Sequence, residues 1–276
     1  MTAVLKMWAR LLQAIARSAL DIDVIKHWAW RLVLKLRNGF ARISPPLELE
    51  TTFDDNIRIV ASLSDHIESQ VFWQGFQEAD EGVIVLLKRH LPEDGVFIDV
   101  GANIGSFTLV AARRASRGQV HAFEPSAHHF ARLTRNVELN HFKNVVLNQK
   151  GLYDQPGEAI LFLPSQTGEM NNSGAASLYV SQVEEARQVS EAVSLVRLDD
   201  YVRNQHMQRV DIIKIDIEGA EMKALEGARE TITRFRPLVF MELDLDNMER
   251  SGSSPDEVHA AMRALSTAFD LPEGKG

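Results

Sequence analysis

Residues 96–105 have the sequence Val96-Phe97-Ile98-Asp99-Val100-Gly101-Ala102-Asn103-Ile104-Gly105, and the rest of the chain is interpreted from this stretch outward. The apolar run at its start predicts a strand of a parallel sheet, because such strands are buried on both faces. Gly101 and Gly105 allow backbone N–H groups to approach a ligand at positions where a side chain would collide with it. A strand, a tight turn and a helix together indicate a nucleotide-cofactor turn, with a purely structural turn as the alternative.

The residues of this turn argue against a cofactor that contains a pyrophosphate. Asp99, at the end of the strand, would repel a pyrophosphate but could hold a cationic amine or a hydroxyl group. Asn103 stands where the dinucleotide fingerprint G-x-G-x-x-G has its second glycine, and the third glycine comes one residue late. The turn therefore favours S-adenosylmethionine as the cofactor and leaves a nicotinamide dehydrogenase as a distant alternative.

Length and composition predict a folded protein with a substantial core. The 276 residues, 45% of them hydrophobic, fit one large domain or two modest ones. The chain has no cysteine, which excludes disulfides, thiolate metal sites and thiol nucleophiles. A net charge of -8 argues against a general nucleic-acid surface, so no nucleic-acid partner is expected.

The first 45 residues differ from the rest of the chain in charge. They contain eight Lys and Arg residues and two acids, which gives a net charge of +6 and leaves -14 for the remainder. Two consecutive prolines, Pro45 and Pro46, end this region, since they stop a helix and stiffen a linker. The sequence therefore predicts an arm at residues 1–45 and a main domain at residues 46–276.

Both halves of the arm are predicted to be helical. From Val4 to Leu20, apolar residues recur at helical spacing with cations on the opposite face, and residues 24–36 form a second helical stretch. Residues 1–36 could lie on an anionic membrane or dock a partner, and a cap helix folded on the domain is an equal alternative. An organellar presequence ranks lower because serine is scarce. We expect a cytoplasmic protein, in part peripheral at a membrane.

Further candidate ligands follow the next two predicted strands. Glu124 lies 23 residues beyond Gly101, close to the distance at which a parallel α/β unit places an acid against ribose hydroxyls. Asp154 follows the third predicted strand, where adenine would lie in this architecture, although a turn into Pro156 explains the segment equally well. Residues 164–190 begin with a turn-rich, polar run and are the predicted lid or specificity region.

Acidic residues crowd the ends of the last two predicted strands. Asp216, Glu218 and Glu221 follow the fourth strand, while Glu242 and Asp244 end the fifth. Such crowding is electrostatically unfavourable unless a cation, a proton or a hydrogen-bond donor is present. We therefore expect this cluster to belong to the functional site, with bound Mg²⁺ as a minority hypothesis.

Six motifs occur here in a characteristic order and spacing: Asp99 to Gly105, Phe123-Glu124-Pro125, Leu198-Asp199-Asp200, Ile213 to Glu221, Leu225-Glu226-Gly227-Ala228 and Arg236-Pro237. Together they resemble the FkbM family of S-adenosylmethionine-dependent methyltransferases, over residues of about 75 to 244. The resemblance implies an α/β class I methyltransferase fold, a Rossmann-like parallel sheet with helices on both faces. It also implies O-methylation of a hydroxyl group on a sugar, glycan or natural product.

The resemblance also implies roles for particular residues. The methionine part of the cofactor would be lined by residues of the first turn, namely Asp99, Gly101, Asn103 and Gly105. Glu124 would hold the ribose, and Asp216 and Glu218 would lie on the methyl-transfer side. A hydroxyl acceptor must lose its proton, so Asp216 and Glu218 are candidates for the base or for orienting the acceptor, with Glu242 second.

The carboxyl-terminal part of the sequence departs from the family pattern. The usual fold continues after its last helix with an antiparallel strand pair, and the eleven residues after Leu265 are too few for a normal hairpin. The sheet edge would then be open or covered, and an open edge favours association, including a homo-oligomer. A catalytically inactive methyltransferase-like binding module, attached to a membrane or a partner, is therefore the alternative function.

Overall fold

The computed structural model describes residues 2–20, 26–43, 46–75, 81–163, 176–179, 189–242 and 244–265. The helices are α1 Thr2–Leu20, α2 Lys26–Ala41, α3 His66–Gln74, α4 Glu81–His90, α5 Ser106–Arg114, α6 Ala127–Leu139, α7 Leu198–Asn204, α8 Glu221–Gly227, α9 Arg229–Phe235, α10 Leu245–Ser251 and α11 Pro255–Leu265. The strands are β1 Glu48–Phe53, β2 Ile57–Ser62, β3 Val96–Val100, β4 Gln119–Phe123, β5 Val145–Asn148, β6 Gly151–Leu152, β7 Gly157–Leu163, β8 Val189–Val196, β9 Ile212–Ile215 and β10 Leu238–Met241.

Five strands form a central parallel sheet in the order β10-β9-β3-β4-β5. From β3 the chain moves outward to β4 and β5, then returns to the other side of β3 to add β9 and β10. The order therefore reverses between β3 and β9. Parallel α/β sheets form their ligand crevice at the carboxyl ends of the strands at such a switch point. The predicted α/β class is confirmed.

Each face of the sheet packs against its own set of helices. Alternate side chains of β3 point to opposite faces, so Phe97 joins one hydrophobic core and Ile98 joins the other. The first core includes residues of α4, α5 and α6, and the second includes residues of α7, α8, α9 and α11. The apolar run at residues 96–100 is thus explained by burial on both faces.

Two elements near the amino end, β1 and α3, were not predicted from the sequence. The short strand or hairpin expected at residues 57–64 is confirmed by β2, which pairs antiparallel with β1 and is followed by helix α3. Helix α3 escaped prediction because Val71, Phe72 and Trp73 are all buried and leave no amphipathic period. The start of α3 does have a common helix signal, because the side chain of Asp65 caps the helix by accepting a hydrogen bond from the N–H of Glu68.

The described part of the arm packs on the main domain. Helix α1 lies against α3 and the β1–β2 hairpin, where the Arg17 guanidinium donates to the carbonyl groups of Val71 and Phe72, each at 2.8 Å. Gln13 donates to the same Phe72 carbonyl at 2.7 Å. These contacts supply side-chain donors to carbonyls in the last turn of α3, where the Val71 carbonyl also accepts from the N–H of the capping residue Gly75 at 3.0 Å. The boundary predicted at residue 45 stays a prediction, because residues 44 and 45 lie outside the described ranges.

Two further expectations concern the ends of the chain. Strand β10 lies at one edge of the described sheet. The expected lack of a carboxyl-terminal hairpin concerns residues 266–276, which lie outside the described ranges, and it stays a prediction. Among the described residues, the helices are all too short or too polar to cross a membrane.

A buried ion pair joins the amino-terminal elements to the sheet domain. Glu68 of α3 accepts two bonds from Arg132 of α6, at 2.7 and 2.6 Å, and a third from the N–H of Ser62. Burial raises the pKa of Glu68 to about 8, and the neighbouring Arg132 opposes this shift. Removal of the guanidinium would leave the carboxyl group buried without its cation.

We predict that Arg132→Met lowers the free energy of unfolding by about 3–5 kcal/mol, because one partner of a buried pair is lost. The matched control is Arg135→Met, one turn away on α6, where an exposed arginine pairs with an exposed Glu48. That change should cost less than about 1 kcal/mol. Urea unfolding measures both values, and equal losses would contradict the assignment of Arg132 to a buried pair.

Candidate active site

A cavity of about 590 Å³ lies at the carboxyl ends of the central strands, at the switch point. Its wall is formed by the turns after β3, β4 and β9, by the β5–β6 connection, and by three residues of α3. Four carboxyl groups and two ammonium groups are among its described lining residues: Glu124, Asp216, Glu218, Glu242, Lys150 and Lys214. The lining thus carries more negative than positive groups.

Gly101 is required by a contact between two strands. Its backbone has φ +77°, and a Cβ atom at this position would lie 1.9 Å from the carbonyl oxygen of Asp216. The turns after β3 and β9 can meet closely only because Gly101 has no side chain. The sequence predicted a glycine for approach to a ligand; the structure shows an approach to the neighbouring strand beside the cavity.

Gly105 has a different structural task. It adopts φ +103° at the start of α5, and a Cβ atom there would lie 2.7 Å from a methyl group of Leu133. Gly105 is not among the residues that line the cavity, so it shapes the turn by permitting close packing of α5 against α6. Its predicted place beside the cofactor stays a prediction.

Asp99 lies beneath the cavity and not in its wall. The fully buried carboxylate accepts a bond from the Thr108 hydroxyl at 2.6 Å, and its other oxygen lies 3.7 Å from the Lys214 ammonium. Asp99 and Lys214 stand opposite each other in the β3–β9 register. Burial raises the pKa of Asp99, and the Lys214 charge opposes this shift. Asp99 can therefore act on the site through Lys214.

Glu124 and Asn103 both line the cavity and are joined by a hydrogen bond. One carboxyl oxygen of Glu124 accepts from the Asn103 N–H at 2.8 Å, and the other accepts from the Ser126 N–H at 2.9 Å. Burial raises the pKa of Glu124 to about 7, while these two bonds oppose the shift. Asn103 adopts φ +50°, which turns its N–H toward the carboxyl group. These two bonds fix the orientation of the Glu124 carboxyl group.

Lys214 was not predicted as a site residue, yet it occupies the centre of the charged groups. Its ammonium lies 3.0 Å from an Asp216 carboxyl oxygen, 3.3 Å from the Gly101 carbonyl and 4.9 Å from the centre of the Phe107 ring. The available signal was a single cation inside the otherwise apolar strand β9. A buried ammonium needs a partner, and the acids at neighbouring strand ends supply it.

The predicted acidic cluster divides into two functions. Asp216, Glu218 and Glu242 line the cavity, whereas Glu221 accepts bonds from the N–H groups of Gly219 at 3.0 Å and of Ile217 at 3.3 Å. Glu221 therefore holds the turn that carries Glu218. Among the described residues, no group of three or more His, Asp or Glu side chains is arranged to hold a metal ion.

Burial and repulsion between carboxylates together raise pKa values in this cluster. Burial first, and then the charges of Asp216 and Glu242, raise the pKa of Glu218 to about 8. Asp216 is the main cause of the raised pKa of Glu242. The Asn247 amide donates to the Glu218 carboxyl group, and φ +52° turns the backbone of Glu218 toward the cavity. Such a carboxyl group changes its charge within the pH range of most enzymes.

Asp154 does not line the cavity, whereas two residues of the predicted specificity region do. Asp154 is not among the lining residues and accepts a bond from Lys223 at 2.9 Å. Gly151 and Leu152, which precede it, do line the wall. Of residues 164–190, only 176–179 and the first two residues of β8 are described, and Ala176 and Leu178 contribute to the wall.

Two histidines, His66 and His129, also line the cavity. Helix α6 buries His129, with its Nδ1 atom 3.9 Å from a Glu124 oxygen, and burial lowers its pKa to about 4. Helix α3 contributes His66, whose Nδ1 atom lies 2.9 Å from the Arg37 guanidinium of α2. Spacing along α6 alone could not reveal which face of that helix meets the cavity.

The parallel sheet, its switch-point cavity and the fixed acid at the end of β4 define a class I methyltransferase, the class whose methyl donor is S-adenosylmethionine. The family model described as the methyltransferase FkbM domain matches residues 99–267, which is more than half of the chain. The chain therefore belongs to the FkbM methyltransferase family, and the prediction from the sequence motifs is confirmed.

Curated relatives match over about half of this chain. Methyltransferase 1 of Beauveria bassiana is 32% identical over 49% of this chain and 59% of its own length. The hexuronic acid methyltransferase AglP of Haloferax volcanii is 28% identical over 54% and 56%. The 31-O-demethyl-FK506 methyltransferase FkbM of Streptomyces tacrolimicus is 29% identical over 56% and 67%. The chain thus spans little more than half the length of the first two.

Solved structures give only a distant likeness. The crystal structure of a precorrin-6y C5,15-methyltransferase from Geobacter metallireducens is 14% identical, with a TM-score of 0.37 over 69% of this chain and 71% of that one. The family assignment therefore rests on the match of the family model to residues 99–267.

We predict that Gly101→Ala is more damaging than Gly252→Ala. Both glycines have similar backbone angles, φ +77° and φ +73°, but a Cβ atom at Gly252 meets nothing within 4 Å. The control should therefore carry only the backbone strain of about 1–2 kcal/mol, and Gly101→Ala should cost roughly 1–3 kcal/mol more through the collision. Urea unfolding compares them. Equal destabilisation would show that the contact with Asp216 is not limiting.

Proposed function

We propose that this protein transfers a methyl group from S-adenosylmethionine to a hydroxyl group of a sugar, glycan or natural product. The observation that carries the proposal is the cavity at the switch point, which brings Glu124 and the acids Asp216 and Glu218 to one wall. The names of relatives support a hydroxyl acceptor on a sugar or natural product, because the relatives include a hexuronic acid methyltransferase, a 2-O-methyltransferase and a 31-O-demethyl-FK506 methyltransferase.

The residues present fit the proposed cofactor. Excess carboxylate in the lining suits a sulfonium cation and would repel a pyrophosphate. Glu124 would accept bonds from ribose hydroxyls, and the backbone of Gly101 and Asn103 would border the methionine part. Gly105 and Asp99 support this turn from behind, and Asp154 would act at the adenine end through the segment that precedes it. When bound, the cofactor supplies an electrophilic methyl group.

The acceptor proton is the main chemical task left to the protein. We assign its removal to Asp216 or Glu218, since both line the cavity and an ionised carboxylate can accept a proton from a hydroxyl group. Lys214 holds one oxygen of Asp216 at 3.0 Å, and the Glu242 carboxyl group is also hydrogen-bonded to Asp216. The same ion pair fixes the orientation of Asp216, which favours in-line alignment of the two reactants.

The inactive binding module remains the second candidate, although no observed feature of the described site favours it. The lining acids are intact, and the Glu124 carboxyl group is held in place. Calorimetry with S-adenosylmethionine separates the two functions. Absence of binding would refute the enzyme, while binding without turnover on a broad acceptor panel would support the module.

We predict that Glu124→Gln weakens S-adenosylmethionine binding by about ten- to a hundredfold. This is the loss of affinity expected when hydrogen bonds to a charged acceptor are lost. Because the pKa of Glu124 is raised to about 7, the carboxyl group loses its charge as the pH falls through that value. Wild-type affinity should therefore decrease below pH 7, and the variant should lack this dependence. Titration calorimetry at several pH values tests both statements, with the exposed Glu138→Gln as control.

We predict that kcat/KM rises with pH up to about 8, where Glu218 becomes ionised. Glu218→Gln should remove this limb and lower the rate by about 10²- to 10⁴-fold, the usual contribution of a general base. Transfer of radiolabelled methyl groups to a panel of monosaccharides, glycolipids and polyketide alcohols provides the readout. A profile that keeps its limb near pH 8 in Glu218→Gln would contradict the assignment of the base to Glu218.

A further inference from the structure

Helix α1 has one face committed to the main domain. Ala9 and Ala16 are buried there, and Gln13 and Arg17 donate to carbonyl groups of α3. These contacts, together with bonds from Gln13 to Thr51 and from Arg17 to Thr52, hold this face of the helix on the main domain. The sequence left two alternatives for this helix, a cap folded on the domain and a helix that binds a membrane or a partner. The docked face agrees with the cap, but it covers only one side of the helix.

The opposite face of α1 exposes a row of large apolar side chains. The row, here named the α1 stripe, consists of side chains that are each 50–60% exposed: Val4, Met7, Trp8, Leu11 and Ile15. Their spacing of three and four residues places them along one side of a helix. Single exposed apolar residues are ordinary on a protein surface, whereas a contiguous row with a tryptophan indicates an interaction surface.

The charge around the α1 stripe identifies the chemistry of its partner. The described residues of the arm, 2–20 and 26–43, contain no acid, and their exposed cations include Lys6, Arg10 and Lys35. A second copy bound through the same stripe would bring two cationic helices together, which like-charge repulsion disfavours. A surface that is apolar inside and negative outside satisfies both features, and an anionic lipid bilayer is such a surface.

We propose that α1 binds the surface of an anionic membrane, with the α1 stripe inserted at the level of the lipid headgroups. The inference is independent of the proposed methyl transfer. Docking would also bring the bilayer near the site, because α1 packs on α3, and α3 supplies His66, Ile67 and Gln70 to the cavity wall. The cavity would then lie close to acceptors carried by the membrane.

Vesicle co-sedimentation of the full chain tests the proposal, with phosphatidylcholine vesicles that either contain or lack phosphatidylglycerol. The test variant is Leu11→Glu/Ile15→Glu. The matched control is Val85→Glu/Leu86→Glu, which places the same two charges on exposed apolar positions of α4. Circular dichroism and thermal unfolding verify that both variants fold, and S-adenosylmethionine calorimetry reports on the active site separately.

The proposal predicts binding to the anionic vesicles alone, weaker at high salt. The α1 variant should bind at least about tenfold less, as expected when the apolar face of an interfacial helix is lost. The α4 variant should bind like the wild type. Equal binding by all three proteins, or no binding by the wild type, would overturn the proposal. Loss of a dimer in the α1 variant on size exclusion, without vesicle binding by the wild type, would assign the stripe to self-association.

Discussion

The contact between Gly101 and the carbonyl group of Asp216 sets the geometry on which the site depends. Strands β3 and β9 are neighbours in the sheet although more than a hundred residues separate them, and their turns approach so closely that no Cβ atom fits between them. This approach brings the first glycine turn, the acid of β4 and the acidic turn of β9 to one cavity. If the turns after β3 and β9 were farther apart, the residues proposed to bind the cofactor would be separated from the proposed base, Asp216 or Glu218.

Burial of charge is the second constraint on the site. Asp99 and Asp216 lie on either side of the Lys214 ammonium, so each carboxylate has a cation nearby in a place where water is largely excluded. An unpaired charge there would be strongly destabilising. Burial and then the charges of the neighbouring acids raise the pKa of Glu218, and Asp216 is the main cause of the raised pKa of Glu242. A group that is easily protonated thus faces the cavity.

The amino-terminal elements contribute to a site that the family match alone would not reveal. The match begins at residue 99, whereas α3 lies before it and lines the cavity. Helix α3 is held by α1 through Arg17 and by α6 through the Glu68–Arg132 pair. Part of the cavity wall is therefore built by residues outside the matched region.

The sequence by itself determined the parallel α/β sheet, the turn at residues 96–105 and the acids at the strand ends, because apolar runs and glycines report burial and backbone shape locally. It could not show that Asp99 lies beside Lys214, that Glu221 holds a turn, or that Asp154 pairs with Lys223. Those assignments depend on which strands are neighbours and which side chains reach across them. Only the tertiary structure decided them, since burial and pairing arise from segments far apart in the chain.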